Sequence, residues 1–271
     1  MHEGIHIALK SEVVTHLFGV PVTNTLLMSW LTIGCLVLIA YFVGRRLTKI
    51  PSHLQTFFET LFGFILDYME EVLESRSVAL RFFPLITTLF MFILLGNWFG
   101  LLPGVGSIYV HESHAEESTA LSAGPLFTGE QVSLPVDPEG TRVALLHPVS
   151  TDLNMTLALA IVSFLVIEVS GVLFIGFRAY AGKFLNFSSP ISFFVGIIEF
   201  ISELVRLVSF SFRLFGNMFA GKTLILVAMF FFPLVLPVPL MLYEVLVGFV
   251  QAAIFALLTL FFIKIAVSHA H

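Results

Sequence analysis

Charge is what this chain has least of. Asp, Glu, Lys and Arg make up 11% of its 271 residues, against roughly 25% in soluble globular domains. With 58% hydrophobic residues and a mean hydropathy of +1.00, a water-soluble fold is excluded. The 13 Lys and Arg residues form no run and the formal net charge is -5, so the basic footprint that nucleic acid requires is missing. A single cysteine, Cys35, excludes an intrachain disulfide and leaves the redox compartment unread. A signal peptide is not visible either. Glu3 and Glu12 interrupt the first 25 residues, and no basic head leads into an apolar core with a small-residue cleavage site. No Arg-rich, acid-poor transit sequence is present. The chain reads as inserted directly, which favours a bacterial plasma membrane.

What the chain does have is long apolar runs. Residues 26–44 carry no charge and are about long enough for a ~30 Å hydrocarbon core. Arg45, Arg46 and Lys49 follow. Over 51–74, Phe57, Phe58, Leu61, Phe62, Ile65 and Leu66 interleave with Glu59, Asp67, Glu70, Glu71 and Glu74. That spacing predicts an amphipathic surface helix, and its acidic face points to packing on protein rather than on lipid alone. Residues 82–103 form a second span ending in the kink-prone Gly96-Asn97-Trp98-Phe99-Gly100, and 153–177 a third span with Glu168 inside it.

Orientation follows from the basic residues. Arg45, Arg46, Lys49, Arg76, Arg81, Arg178 and Lys183 flank one side of these spans, whereas the polar loop 104–148 holds only Arg142 against six acids. By the positive-inside tendency the loop and the N-terminal segment 1–25 are external, and five membrane segments put the C-terminus in the cytoplasm. His111 and His114 of the loop lack further ligands at fixed spacing and make a poor metal site. The terminal His269 and His271 read as solvated. No cofactor is expected.

The last third differs. Residues 190–232 keep a helical pattern but carry Glu199, Glu203, Arg206, Arg213 and Lys222. As one helix this stretch measures about 65 Å, roughly twice the membrane core, so it either breaks near Gly216 or Gly221 or lies strongly tilted. The tilted helix is the preferred reading. Pro233, Pro237 and Pro239 force a turn, and 240–267 runs back to complete a hairpin. The fold predicted is an all-α integral membrane protein of about five membrane helices plus one amphipathic surface helix. Residues 26–189 form its peripheral part and 190–271 the charged hairpin.

An arginine at the centre of a membrane helix costs at least about 2.5–3.5 kcal/mol, so Arg213 reads as part of an ion path or of a paired charge. At 100° per residue, Glu199, Glu203, Arg206, Ser209, Arg213 and Asn217 share one stripe. Lys222 points nearly opposite. On the returning helix Glu244 and Gln251 are seven residues apart and share a face. Lys222 and Glu244, on either side of the proline turn, are predicted to lie close enough to meet. Gly216 and Gly221 read as sites of close helix packing.

Three stretches carry a resemblance. Phe212-Arg213-Leu214-Phe215-Gly216-Asn217-Met218-Phe219-Ala220-Gly221 resembles the arginine helix of subunit a, the stationary ion-channel subunit of the F-type ATP synthase membrane sector. Gln251-Ala252-Ala253-Ile254-Phe255 is similar to that family's last helix. Asp152-Leu153-Asn154-Met155-Thr156-Leu157-Ala158 resembles its signature at a span entrance. Well-studied members often carry a carboxylate at the position of Lys222 and a histidine at that of Glu244, so here the acid stands on the other helix. The resemblance implies a rotor ring of c-ring proteolipid subunits, each with one membrane carboxyl, together with peripheral-stalk b subunits, the remainder of the synthase and membrane lipid as partners. It implies that Arg213 separates two offset half-channels. Glu244, Gln251 and Asn217 are expected by the external one, with Asp152 and Asn154 near its mouth. Glu199, Glu203 and Ser209 are expected along the cytoplasmic one. Whether Lys222 joins the relay or merely neutralises Glu244 is open.

Other readings have less to stand on. Arg213 could form a structural salt bridge with Glu168 or Glu244. A secondary ion transporter also puts charges at mid-membrane, but no internal repeat or paired broken helices are visible. A membrane hydrolase needs a nucleophile or metal set in one cleft.

Overall fold

The computed structural model describes residues 11–17, 20–45, 53–102, 105, 109–111, 142–184, 189–233 and 235–268. Within them the chain runs through a hairpin of β1 (Val13–Leu17) and β2 (Val20–Thr23), then α1 (Asn24–Arg45), α2 (His53–Leu73) and α3 (Arg76–Phe99). A small hairpin of β3 (Tyr109–His111) and β4 (Arg142–Ala144) precedes a single 3-10 turn, Val149–Thr151. The remaining helices are α4 (Leu153–Ile175), α5 (Phe177–Phe184), α6 (Pro190–Phe231) and α7 (Pro237–Ser268).

Helices carry the fold, as the apolar runs require. α1, α3, α4 and α7 are each long and apolar enough to cross a membrane. The 42-residue α6 runs beside α7 and α4 without a break, although it contains Gly216 and Gly221. Ser189 caps it by accepting from the Ile191 amide at 3.3 Å, and Pro190 occupies the first turn, where a missing N–H costs nothing. The two β-hairpins were not expected. Both strands of the first are rich in β-branched residues over only four or five positions, too short for period-2 alternation to stand out. α3 begins six residues before the expected span, because Ser75, after the left-handed Glu74 (φ 55°), opens a new helix.

In a bilayer, apolar contact between helices gains little over contact with lipid, so small residues and internal polar bonds choose the inward faces. α4 turns Ala160, Ser163, Ile167, Ser170 and Gly171 inward, all buried. A Cβ at Gly171 would overlap the Tyr180 ring, so only glycine lets α5 fold back on α4. α1 buries Thr25, Met28, Ser29 and Thr32 and leaves Trp30, Val37, Leu38, Tyr41 and Phe42 exposed, the surface a lipid-facing helix needs. Two of its inward hydroxyls are satisfied within the helix, Ser29 to the Thr25 carbonyl (2.7 Å) and Thr32 to that of Met28 (2.9 Å). α2 is amphipathic as read. Phe58, Leu61, Phe62, Ile65 and Leu66 pack on the core while Glu59, Asp67 and Glu71 stay exposed.

α7 is the hub, packing against α3, α4 and α6. Phe210 of α6 meets Phe255 and Phe262 of α7 at ring-centroid distances of 5.2 and 5.6 Å. The Gly96–Gly100 stretch stays helical as far as Phe99, with Gly100 as the cap. It clamps α7: Asn97 Nδ2 donates to the Gly248 carbonyl (3.3 Å) and Trp98 Nε1 to that of Val245 (3.1 Å).

Candidate functional site

Arg213 stands in the middle of α6, half-exposed, with its Nη2 donating to Ser209 Oγ on its own helix at 3.4 Å. Among the described residues no carboxylate lies within ion-pair distance of it. The alternative salt bridges do not form. Glu168 instead accepts from the Tyr180 hydroxyl at 2.7 Å. Burial, and then that hydrogen bond to Glu168, push the Tyr180 phenol well above its ordinary range, so it remains a donor.

The opposite face of α6 is anchored. Ser211, fully buried, bonds Thr156 of α4 at 3.2 Å, and Leu214 is buried beside it. Sequence reasoning missed Ser211, though Thr156 lies in the very signature that drew attention to Asp152 and Asn154. Holding 211 and 214 inward leaves Ser209, Phe212 and Asn217 outward with Arg213 among them.

The expected stripe therefore divides. Glu203 turns into the protein and is 5% exposed, accepting from Arg206 at 2.6 Å. The Arg206 guanidinium sits 3.8 Å over the Phe262 ring of α7. Helix–helix contact with α7 captures the edge of the stripe that carries Glu203. Glu199 remains half-exposed and Ser209 exposed.

One helical turn beyond Arg213, Asn217 Nδ2 donates to Gln251 Oε1 at 2.6 Å, joining the two arms of the hairpin. Gln251 is buried, and its Nε2 has no hydrogen-bond partner among the described residues. Glu244, two turns back on the same face, is 4% exposed, and its Oε1 is likewise unpartnered. Gly221 faces it. A Cβ there would overlap the Glu244 carboxylate, so the acid occupies the space a side chain would take. Gly216, by contrast, has open space where a Cβ would sit and is not a packing contact.

Lys222 does not pair with Glu244, contrary to expectation. Its Nζ lies 2.6 Å from His147 Nε2, on the segment before α4. The reason is rotational: nine residues on from Arg213, Lys222 points to nearly the opposite side of α6 and meets the segment before α4. Lys222 and Glu244 nevertheless line the same cavity of about 40 Å³, with Asn97, Ser150, Thr151 and Met218. That is room for at least one water among polar groups. His147 had no sequence signal, being one histidine at the end of a long polar loop. Burial, and then the Lys222 charge, lower it to about 4, with Asp152 acting in the opposite sense. A depressed histidine favours the neutral fold, so this contact is fully stable above about 6.5 and weakens as pH falls toward 4.

Asp152 is buried and fully engaged. It caps α4 by accepting from the Asn154 amide (3.0 Å) and takes the Thr25 hydroxyl of α1 on its other oxygen (2.9 Å). Asn154 is exposed. Asp152→Ala removes a cap and a charge-assisted bond and is expected to cost roughly 2–3 kcal/mol. The check is the thermal midpoint of the purified assembly, and an unchanged midpoint would contradict this account. Among the described residues no three His, Cys, Asp or Glu cluster as a metal site. Residues 112–114 and the His111 side chain lie outside the described residues, as do His269 and His271.

A family profile, the ATP synthase A chain, matches residues 26–264. The chain belongs to that family. The ATP synthase subunit a of Geobacter sp. (strain M21) is 31% identical over 252 residues, covering 92% of this chain and 89% of that protein. The subunit a of Moorella thermoacetica is 28% identical, covering 95% and 96%. That of Trichlorobacter lovleyi is 29% identical across both chains in full. As a member of the ATP synthase A chain family, the protein is a multi-pass, proton-translocating membrane subunit of the synthase rather than the subunit that makes ATP.

Proposed function

We propose that Arg213 is the fixed cation of a rotary stator, pressed against the passing carboxyls of a c-ring and dividing two half-channels. The observation that carries this reading is a mid-helix guanidinium on an outward face with no carboxylate of its own chain, among the described residues, to neutralise it. Chemistry explains why arginine suits the place. Guanidinium stays charged at any working pH and offers a planar donor fork. An ionised carboxylate about 4 Å away gains roughly 4 kcal/mol at an effective dielectric of 20, before desolvation is subtracted, and a protonated one far less. Arg213 thus holds a rotor site in its deprotonated form and blocks a direct leak.

Glu244, which lines the polar cavity at Lys222, forms the external half-channel with Gln251 and Asn217 in this reading, with Asp152 and Asn154 fixing its mouth. Glu199 and Ser209 line the cytoplasmic one, flanked by the Glu203–Arg206 pair. Residues 190–271 are the ion-translocating hairpin and 26–189 the peripheral helices that hold it. The 104–148 loop and the N-terminus are external, the C-terminus is cytoplasmic, the membrane is a bacterial plasma membrane, and peripheral-stalk b subunits complete the stator.

Cysteine trapping tests the rotor-facing assignment. In a Cys35→Ser background, Ser209→Cys, Phe212→Cys or Ala220→Cys should cross-link to cysteines in the small proteolipid within native membranes. Failure of all three, with cross-links forming instead at outward positions of α1, would overturn it.

A further inference from the structure

Lys222 shares a small cavity with the Glu244 carboxylate, yet its ammonium is bonded to His147. Its flexible four-carbon stem lets it point toward either. His147 Nε2 holds it at 2.6 Å, while the Glu244 carboxylate, lining the same space, has an oxygen unpartnered among the described residues. The neighbours of His147 fix why it can accept. The Thr151 hydroxyl donates to the Pro148 carbonyl at 2.8 Å, so its oxygen is left to accept from His147 Nδ1 at 3.0 Å. That places the imidazole proton on Nδ1 and the lone pair on Nε2, facing the ammonium. Among the described residues the charged groups around this pair are Asp152, which acts on His147, Glu12, which acts on Lys222, and Glu244, which shares the Lys222 cavity.

We propose that His147 is a positioning residue of the external half-channel: by holding the Lys222 ammonium it keeps that cation off Glu244 and leaves the carboxylate open to take up protons. The inference rests on Glu244 being the acid of that half-channel. Without His147, Lys222 turns across the cavity and pairs with Glu244. A cation in contact favours the ionised carboxylate by roughly tenfold or more, and the acid drops out of the proton cycle. Because burial and the Lys222 charge hold His147 near 4, it stays an acceptor through the working pH range.

The test is ATP-driven proton pumping by the intact synthase in membrane vesicles, normalised to assembled complex. His147→Leu, which fills space without an acceptor, should slow pumping about tenfold or more. His147→Gln, which restores an acceptor, should recover most of the rate. The decisive variant is the double substitution His147→Leu with Lys222→Gln. Removing the stray cation should return pumping to within about threefold of Lys222→Gln alone, a difference small beside the tenfold effect. A double variant as slow as His147→Leu would overturn the proposal, as would full activity of His147→Leu. Should His147→Leu fail to assemble, His147→Ser paired with the same Lys222→Gln rescue reads the same outcome. Glu244→Gln separates the two levels. If it pumps normally the half-channel reading itself falls; if it is inactive while His147→Leu is normal, only the positioning role falls.

Discussion

Replacing Arg213 with alanine is expected to abolish coupled ATP synthesis, leaving cells unable to grow on a respiratory carbon source. Two effects combine. The roughly 4 kcal/mol that a guanidinium gives an ionised rotor carboxylate at an effective dielectric of 20 is nearly three powers of ten in occupancy, and it vanishes. The barrier between the half-channels vanishes with it, so that each proton dissipates about 2.3 kcal/mol per 100 mV without turning the rotor. Vesicles carrying Arg213→Ala should therefore be proton-permeable and fail to hold a gradient. Arg213→Lys should fare little better, because a buried lysine surrenders its proton and offers no planar fork. Folding should survive, since among the described residues the side chain's only hydrogen bond is to Ser209 and the anchors of this part of α6, Ser211 and Leu214, point the other way. Normal respiratory growth of Arg213→Ala would refute the assignment.

Glu244→Gln is expected to slow ATP-driven pumping by at least about tenfold, a typical share for a positioned proton-transfer group, while leaving the complex assembled. Glutamine keeps the shape that fits against Gly221 and loses only the ability to ionise. The companion variant Gly221→Val sharpens the reading. Its side chain must displace the carboxylate, so it should lower both pumping and the amount of assembled complex. Unchanged pumping in Glu244→Gln vesicles would remove Glu244 from the path.

The sequence announced the helices because a bilayer demands about 20 apolar residues in a row, and the ends of α1, α2, α4, α6 and α7 fall within a few residues of where polarity changes. Asn217 and Gln251 stood out for a related reason: a polar group in lipid needs a partner, and here each is bonded to the other. Partners were less legible. Glu203 and Ser209 sat on one projected stripe, yet Phe262 of α7 and the Arg206 pair drew the first inward and left the second out. Gly216 and Gly221 look alike in sequence, but only the second faces another side chain. Lys222 found His147 across 75 positions of chain, with α4 and α5 lying between them. No periodicity reports a contact made between separate elements, because its register is set by how whole helices pack. The Asn97 and Trp98 clamp on α7 escaped notice for the same reason.

The notch at Gly221 bears on any attempt to re-engineer this motor. Its acid sits on α7 and projects into a gap in α6, so the two positions are lock and key across the hairpin. A designer who moves the carboxyl onto α6 must fill the vacated hollow from the other arm in the same step. Changing either half alone leaves a hole or a collision, so the two substitutions will be tolerated only together.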